Sequence, residues 1–407
     1  NDEAQFLALM DSGLTVAREF KLRPGIALTA AQIAQLTSDI VWLVEQEVTL
    51  ADGTKQPVLA PRVYLRVREG DLHASGALIA GTLLAGATID LTLGGDLTNS
   101  GSIAGRTLVS LTAENLKNLG GRIDAADLAL HARTDLDNRG GQISATDRLI
   151  ASAGRDMNLV STTHTDRKTA GLSSFSRTGL DRIAGLYVTG DNALLIASAG
   201  RDLNLTAAQI THGGADGQTL LAAGRDLKLA THTTAAQNNS VGNGANHLKQ
   251  GSSRDIGTAI QTQGALHLQA GNDLNASAAS VQAGGALTAS AGRDLTLGAG
   301  QSSANFAEAR QHKSKGFLSS KTTTTRDSLE STTALASTLS GDTVTLIAER
   351  DIAVKGSNVV ATGDATFLAG QNITLEAATN TSAETHFREQ KKSGVFSSGG
   401  IGITLGS

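Results

Sequence analysis

Ala199-Gly200-Arg201-Asp202-Leu203-Asn204-Leu205 is a stretch that this chain repeats. It returns as AGRDMNL at 153–159, AGRDLKL at 223–229 and AGRDLTL at 291–297. Looser copies stand at 270–276 (AGNDLNA), 348–354 (AERDIAV) and 369–375 (AGQNITL), and fainter ones surround Asp96-Leu97, Asn115-Leu116 and Asp135-Leu136. The anchoring Asp or Asn lies at 96, 115, 135, 156, 202, 226, 273, 294, 351 and 372, so successive spacings are 19, 20, 21, 46, 24, 47, 21, 57 and 21. A fixed period marks a repeat architecture. The unit is about 20 residues, and three units carry something extra.

Residues 120–138 (GGRIDAADLALHARTDLDN) show what one unit is. Ile123, then Leu128 with Leu130, then Leu136 are short apolar pieces separated by Gly, Asp or Asn. The period of two in 128–130 is a strand signal. One unit cannot bury its apolar face alone, whereas stacked copies can. Three strands per unit describe one turn of a right-handed parallel β-helix, with equivalent residues about 4.8 Å apart. Ile103, Ile123 and Ile143 are expected to form one buried ladder, and Leu97, Leu116, Leu136 and Met157 another. Asn99, Asn118 and Asn138 recur at a turn where their amides can stack. A leucine-rich repeat of similar length needs a helical half, which is absent here. From about residue 70 onward, roughly 13 turns and a rod on the order of 60 Å are expected.

Composition fits a solenoid core of small and β-branched residues: aromatics make up 3% of the 407 residues, and 46 are Gly. A formal net charge of −4 argues against a nucleic-acid partner held on a basic face. Cysteine is absent, which suits the cytosol or an exported bacterial protein. Asn1 in place of an initiating Met, with no signal peptide after it, suggests an excised or processed fragment.

Residues 1–70 are a different object, since all three prolines (Pro24, Pro57, Pro61) and the single Trp42 precede residue 65. Phe6, Leu9, Met10, Leu14, Ala17 and Phe20 have near-helical spacing. Thr29 with Gln32 reads as a capping box for a second helix with Ile33, Leu36, Ile40 and Leu43 on its face. A strand at 48–50, a tight turn at Asp52-Gly53 and a half-buried strand with Val63, Leu65 and Val67 inward would follow. This small α+β segment is expected to cap or space the solenoid.

Residues 71–159 read as uninterrupted β-helix, and 160–407 as β-helix with an insert at every second turn. The distance from anchor to next inward residue is 7 to 9 in plain turns, but 32, 34 and 45 after Asp156, Asp226 and Asp294. The extra residues therefore enter at one corner, as 160–186, 230–256, 298–337 and 377–407. Two turns advance about 9.6 Å, the width of a two-stranded hairpin. Neighbouring hairpins can then pair into a secondary antiparallel sheet on one face. Disordered loops are the alternative that their Ser, Gly and Asn content allows.

The AGRDLNL-type repeats, the segment SDIVWLVEQ at 38–46 and the insert KKSGVFSSGG at 391–400 together resemble the haemagglutinin-repeat region of filamentous haemagglutinin-like exoproteins. These are the large secreted partners of bacterial two-partner secretion systems, and include adhesins and effectors of contact-dependent growth inhibition. The resemblance covers essentially the whole chain. It implies a secreted filament shaft at the bacterial cell surface, exported through an outer-membrane transporter. It further implies that the shaft presents, or helps deliver, a C-terminal toxin at a target-cell outer membrane or surface receptor. A filamentous adhesin for host cells or biofilm is the alternative, and a carbohydrate-active β-helix enzyme a remote one.

No enzyme is expected, and no catalytic, cofactor-binding or metal-binding residues stand out. The Asp residues fall at the repeat period, where Arg155, Arg201, Arg225, Arg293 and Arg350 would temper their repulsion. No zinc, calcium-repeat, P-loop or dinucleotide spacing is present. A monomer without cofactor or nucleic acid is expected. The candidate surface contacts lie in the inserts, where Phe stands beside cations: Phe175; Phe317 with Lys313 and Lys315; Phe396 with Lys391 and Lys392. Aromatic residues flanked by cations suit a negatively charged polar–apolar boundary.

Overall fold

The computed structural model describes residues 2–29, 32, 33, 36, 38–49, 55–64, 72, 73, 76–317, 319–397 and 403–406. From Gly76 onward the chain winds as an all-β parallel helix with three faces. The first face is a stack of eleven parallel strands among the described residues, from Gly76–Ile79 to Ile373–Glu376. The second and third faces are continuous in the early turns, where single strands such as Ser102–Ala113 and Arg122–Ala132 bend across both at a register shift. Later each splits in two, as in Gly185–Val188 and Leu194–Ala199.

The inward ladders are those the repeat requires. Ile103, Ile123 and Ile143 are in register on adjacent strands and fully buried. Their row continues through Leu186, Ile210, Ile260, Val281 and Leu339. Leu97, Leu116, Leu136 and Met157 form the second row, followed by Leu203, Leu227, Leu274, Leu295 and Ile352. Ten inter-strand steps of about 4.8 Å make a rod of about 48 Å, shorter than the expected 60 Å from 13 turns. The difference lies in the count of turns, since the ten anchors from 96 to 372 and the strand Gly76–Ile79 before them make eleven.

The third row changes chemistry along the rod. Asn99, Asn118 and Asn138 are fully buried and stacked, with Asn99 Nδ2 donating to Asn118 Oδ1 at 2.8 Å and Asn118 Nδ2 to Asn138 Oδ1 at 2.9 Å. Asn118 Nδ2 and Asn138 Nδ2 also donate to the carbonyls of Gly121 and Gly141 at 3.0 Å. From the next turn the same register holds Leu159, Leu205 and Leu229. The amide row thus ends where the inserts begin.

The Gly of the AGRD motif has a steric cause. A Cβ on Gly200, Gly224, Gly271 or Gly292 would overlap the carbonyl oxygen of the equivalent Gly one turn earlier. Gly224→Ala must push two turns apart against their backbone hydrogen bonds. It is expected to cost about 1–3 kcal/mol, read as a lowered thermal midpoint.

Every insert leaves at the corner between the first and second faces. Plain turns close this corner with a left-handed residue, such as Gly140 (φ 59°) or Ala207 (φ 47°). Inserted turns close it with a buried hydroxyl. Ser161 Oγ donates to Ala207 O at 2.6 Å and accepts from Ala184 N at 3.0 Å, and Ser337 Oγ bonds Gly298 O and Ala279 N in the same way.

Before the rod, helix Asp2–Glu19 packs on the antiparallel pair Ile40–Thr49 and Lys55–Tyr64. Val16, Ala17, Leu28, Leu36, Ile40, Trp42 and Tyr64 form their small core. The capping box is present: Gln32 Oε1 accepts from Thr29 N at 2.8 Å, and Thr29 Oγ1 from Gln32 N at 3.3 Å. The helix it begins does not run to Leu43, because Ile40 and Leu43 belong to a strand. That strand absorbs the β-branched run at Ile40-Val41, which favours an extended backbone. The parity of the second strand is also reversed, with Tyr64 buried and Val63 exposed, because the ring fills the core beneath Leu28 and bonds its amide. The turn at Asp52-Gly53 and the positions of Leu65 and Val67 lie outside the described residues.

Candidate interaction surface

The four inserts are hairpins, and they join. Strands Thr163–Ala170, Ser173–Leu180, His232–Asn243, Asn246–Ile256, Gly300–Lys315, Ser319–Leu335, Thr381–Ser397 and Ile403–Gly406 form one antiparallel sheet in chain order. Adjacent inserts pair through residues 174–178 with 235–239, 247–254 with 302–309, and 319–332 with 381–394. The hairpins lengthen along the chain, from strands of 8 residues through 12 and 11 to 16 and 17. Their bases are tied together. His232 Nε2 lies 2.7 Å from Ser161 O, and Asp255 accepts from Thr233 Oγ1 at 2.7 Å and Gln301 N at 2.8 Å. Ser and Thr dominate, so a sheet with water on its surfaces costs little.

The repeat Asp residues of the rod are engaged by its own ladder. Arg155, Arg201, Arg225, Arg293 and Arg350 each make a two-pronged pair with the Asp one turn earlier, namely Asp135, Asp156, Asp202, Asp273 and Asp294. Each Arg also lies 3.3–3.8 Å from the Asp of its own turn. The Arg201 bond holds the Asp156 carboxyl below the usual carboxylate range, against its burial. These carboxylates are charged struts, each engaged along the axis.

The outer ends of the third and fourth hairpins are different. Residues 309–326 and 387–394 hold eight Lys or Arg and a single acid, Glu389, in a chain of net charge −4. Side chains alternate along strands. By register, Arg310, His312, Lys321, Arg388 and Lys392 share one face, and Lys313, Lys315, Arg326 and Lys391 the other. Lys321 sits directly across from Lys392. Among the described residues, Lys313, Lys315, Lys321, Arg388 and Lys392 have no ion pair, whereas Lys391 pairs with Glu389 at 3.3 Å and Arg310 with Glu308. Arg326 lies over the Phe387 ring, 5.4 Å from its centroid. Phe317, at the turn between the long strands, is 98% exposed.

The structure brings Lys313, Lys315, Phe317, Lys391 and Lys392 to one end of the sheet. Phe175 lies apart, on the first hairpin between Lys168 and Asn238, and is 44% exposed. Phe396 falls in strand Thr381–Ser397, with its side chain outside what is described. Sequence reading missed Arg310, Arg326 and Arg388 as part of this cluster. Only the pairing of 319–332 with 381–394 carries Arg388 into it.

Just inside the cationic end, His386 joins the two hairpins. Its Nδ1 lies 3.0 Å from Asp327 Oδ1 and its Nε2 2.9 Å from Glu384 Oε1. The Asp327 bond first, and that to Glu384 second, raise the imidazole above its ordinary pKa. The bridge therefore contributes fully below the unfolded value of about 6.5 and is lost as pH rises through the raised folded value. Amide-exchange protection of 381–397, corrected for intrinsic rates, should fall as pH rises above about 6.5. His386→Gln should flatten that dependence, and an unchanged profile would show the bridge to be incidental.

A parallel solenoid whose repeat acids brace its own turns, and whose inserts form a lateral sheet, is a repeat scaffold that presents a surface. The chain matches the family model described as hemagglutinin repeat over residues 176–317 and 314–407, and it belongs to that family. It is 31% identical over 473 residues to the 16S rRNA endonuclease CdiA of Enterobacter cloacae, with all of this chain and 14% of that protein covered. It is 33% identical over 490 residues to the tRNA nuclease CdiA of Escherichia coli strain STEC_O31, again covering all of this chain and 14% of the relative. With the deoxyribonuclease CdiA of Dickeya dadantii it shares 33% over 478 residues, covering 99% of this chain and 14% of that one. The chain thus spans about a seventh of the length of these relatives. No solved structure matches it.

Proposed function

We propose that this chain is the shaft of a secreted exoprotein of contact-dependent growth inhibition, one that helps present or deliver a toxin carried elsewhere in the protein at a target-cell outer membrane. One observation carries the reading. Relatives named for three different nuclease activities align with this same region along nearly all of it at 31–33% identity. A region that stays similar while the named activity varies is the common carrier, and catalysis belongs outside it. Its residues support this, since the Asp row is used in struts. Export through a partner outer-membrane transporter to the cell surface is part of the same reading.

Within it, residues 1–70 serve as the spacer or cap at one end of the rod. Arg62, Val63 and Tyr64 line a small crevice with Gly81, Thr82 and Leu83 of the first turn. The lateral sheet is the contact face, with Phe317, Lys313, Lys315, Lys391 and Lys392 at its outer end. Phe396 belongs with them by strand position, and Phe175 plays a lesser part on the shortest hairpin. The test uses the parent protein in its producing bacterium, with residues 309–326 replaced by a tight turn. Surface display should persist while inhibition of target cells is lost. Undiminished inhibition would overturn the contact-face reading.

A further inference from the structure

The outer end of the lateral sheet holds positive charge in an arrangement that costs stability. Like charges directly opposite on neighbouring strands are destabilising, and Lys321 faces Lys392 in that way with no acid beside them in their row, which is completed by Ser314. Two rows inward on the same face, Arg310 and Arg388 flank Thr325, with His312, Thr323 and Gln390 between. The other face repeats the theme with Lys313, Lys315 and Lys391. Arg310 and Lys391 are paired with Glu308 and Glu389, so Lys313, Lys315, Lys321, Arg388 and Lys392 are the cations that an external polyanion would neutralise.

The geometry narrows the polyanion. Cations stand on both faces of a single-layered sheet, so one flat partner or one free anion engages only half of them. A layer that the sheet enters end-on engages both. Phe317 stands at the apex of the third hairpin, exposed as an apolar probe suited to a boundary with hydrocarbon. The cationic rows run from Arg310 to Lys315, six residues and so five strand rises, or about 17 Å. A phospholipid headgroup zone is only about 5–8 Å deep per leaflet. The cations therefore match a thicker anionic layer with phosphates at more than one depth.

We propose that the outer end of the third and fourth hairpins, through Lys321, Lys392, Arg388 and Phe317 together with the lysines of the opposite face, inserts into the phosphorylated saccharide layer of a glycolipid surface. This rests on the proposed contact-face reading and names the chemistry that the face recognises.

The experiment is co-sedimentation of the full 407-residue chain with four vesicle types: zwitterionic phospholipid, anionic phospholipid, lipopolysaccharide-bearing, and the last after enzymatic removal of its phosphates. Binding should be strongest to lipopolysaccharide-bearing vesicles and fall on dephosphorylation. Lys321→Gln, Lys392→Gln and Arg388→Gln combined should weaken it about a hundred-fold, since each cation near an anionic surface contributes roughly a factor of five. Phe317→Ser should weaken it further. The first-hairpin pair Arg167→Gln with Lys168→Gln is the control and should leave binding unchanged. Thermal melting of each variant separates lost charge from lost fold, and Thr323→Lys, which adds a cation to the same face, should strengthen binding. Equal binding to anionic phospholipid and lipopolysaccharide vesicles, or to phosphorylated and dephosphorylated ones, would overturn the phosphate-layer proposal. Retained binding to whole target cells in that case leaves the contact-face reading standing. A chain that binds neither cells nor vesicles overturns both.

Discussion

Ile123→Asp is expected to lower stability by on the order of 4 kcal/mol, through a carboxylate placed without a partner among apolar neighbours. Ile123 is fully buried between Ile103 and Ile143, so no solvent reaches the new charge. The damage has a definite extent. In a linear stack each turn contacts only its neighbours, and the early turns carry no insert that ties them to distant ones. Hydrogen exchange should show lost protection in the strands around 102–145 and retained protection beyond 260. A uniform loss along the whole rod would contradict nearest-neighbour stacking.

The second large effect is expected at the asparagine row. Asn118→Leu removes an amide that accepts from Asn99 and donates to Asn138 and Gly121. Leu fits the register, since Leu159, Leu205 and Leu229 occupy it later. The cost comes from the orphaned groups left behind, at about 1–3 kcal/mol each for two or three of them. Replacing Asn99, Asn118 and Asn138 together by Leu removes most of those partners at once. The triple variant should be more stable than the single one, which chemical denaturation would show. Additive losses would mean that the amides act independently.

Much of this fold was legible because its period is short and its physics local. Ile103, Ile123 and Ile143 fix the register by themselves, and the insertion corner follows from counting between anchor and inward residue. Harder to read were features decided by partners far away in sequence. Ile40 and Leu43 satisfy a helical face as well as a strand, and the antiparallel partner at 55–64 decides for the strand. The expected 13 turns exceed the eleven that the repeat anchors and the strand at 76–79 supply. Lys313, Lys315, Phe317, Lys391 and Lys392 were visible as composition. Lys321 joins the first three through its own hairpin, whereas bringing Lys391, Lys392 and Arg388 beside them depends on a pairing of strands about sixty residues apart, which no local pattern encodes.

The lateral sheet also changes how the rod responds to load. A plain stack peels one turn at a time from its end. Here each hairpin springs from every second turn and is laced to the next by a growing ladder, 174–178 with 235–239, then 247–254 with 302–309, then 319–332 with 381–394. Turns two apart are thereby fastened in parallel with the core, more firmly toward the C-terminal end. Under tension along its axis the bare early turns are the fuse, and the insert-bearing part behaves as a single braced beam.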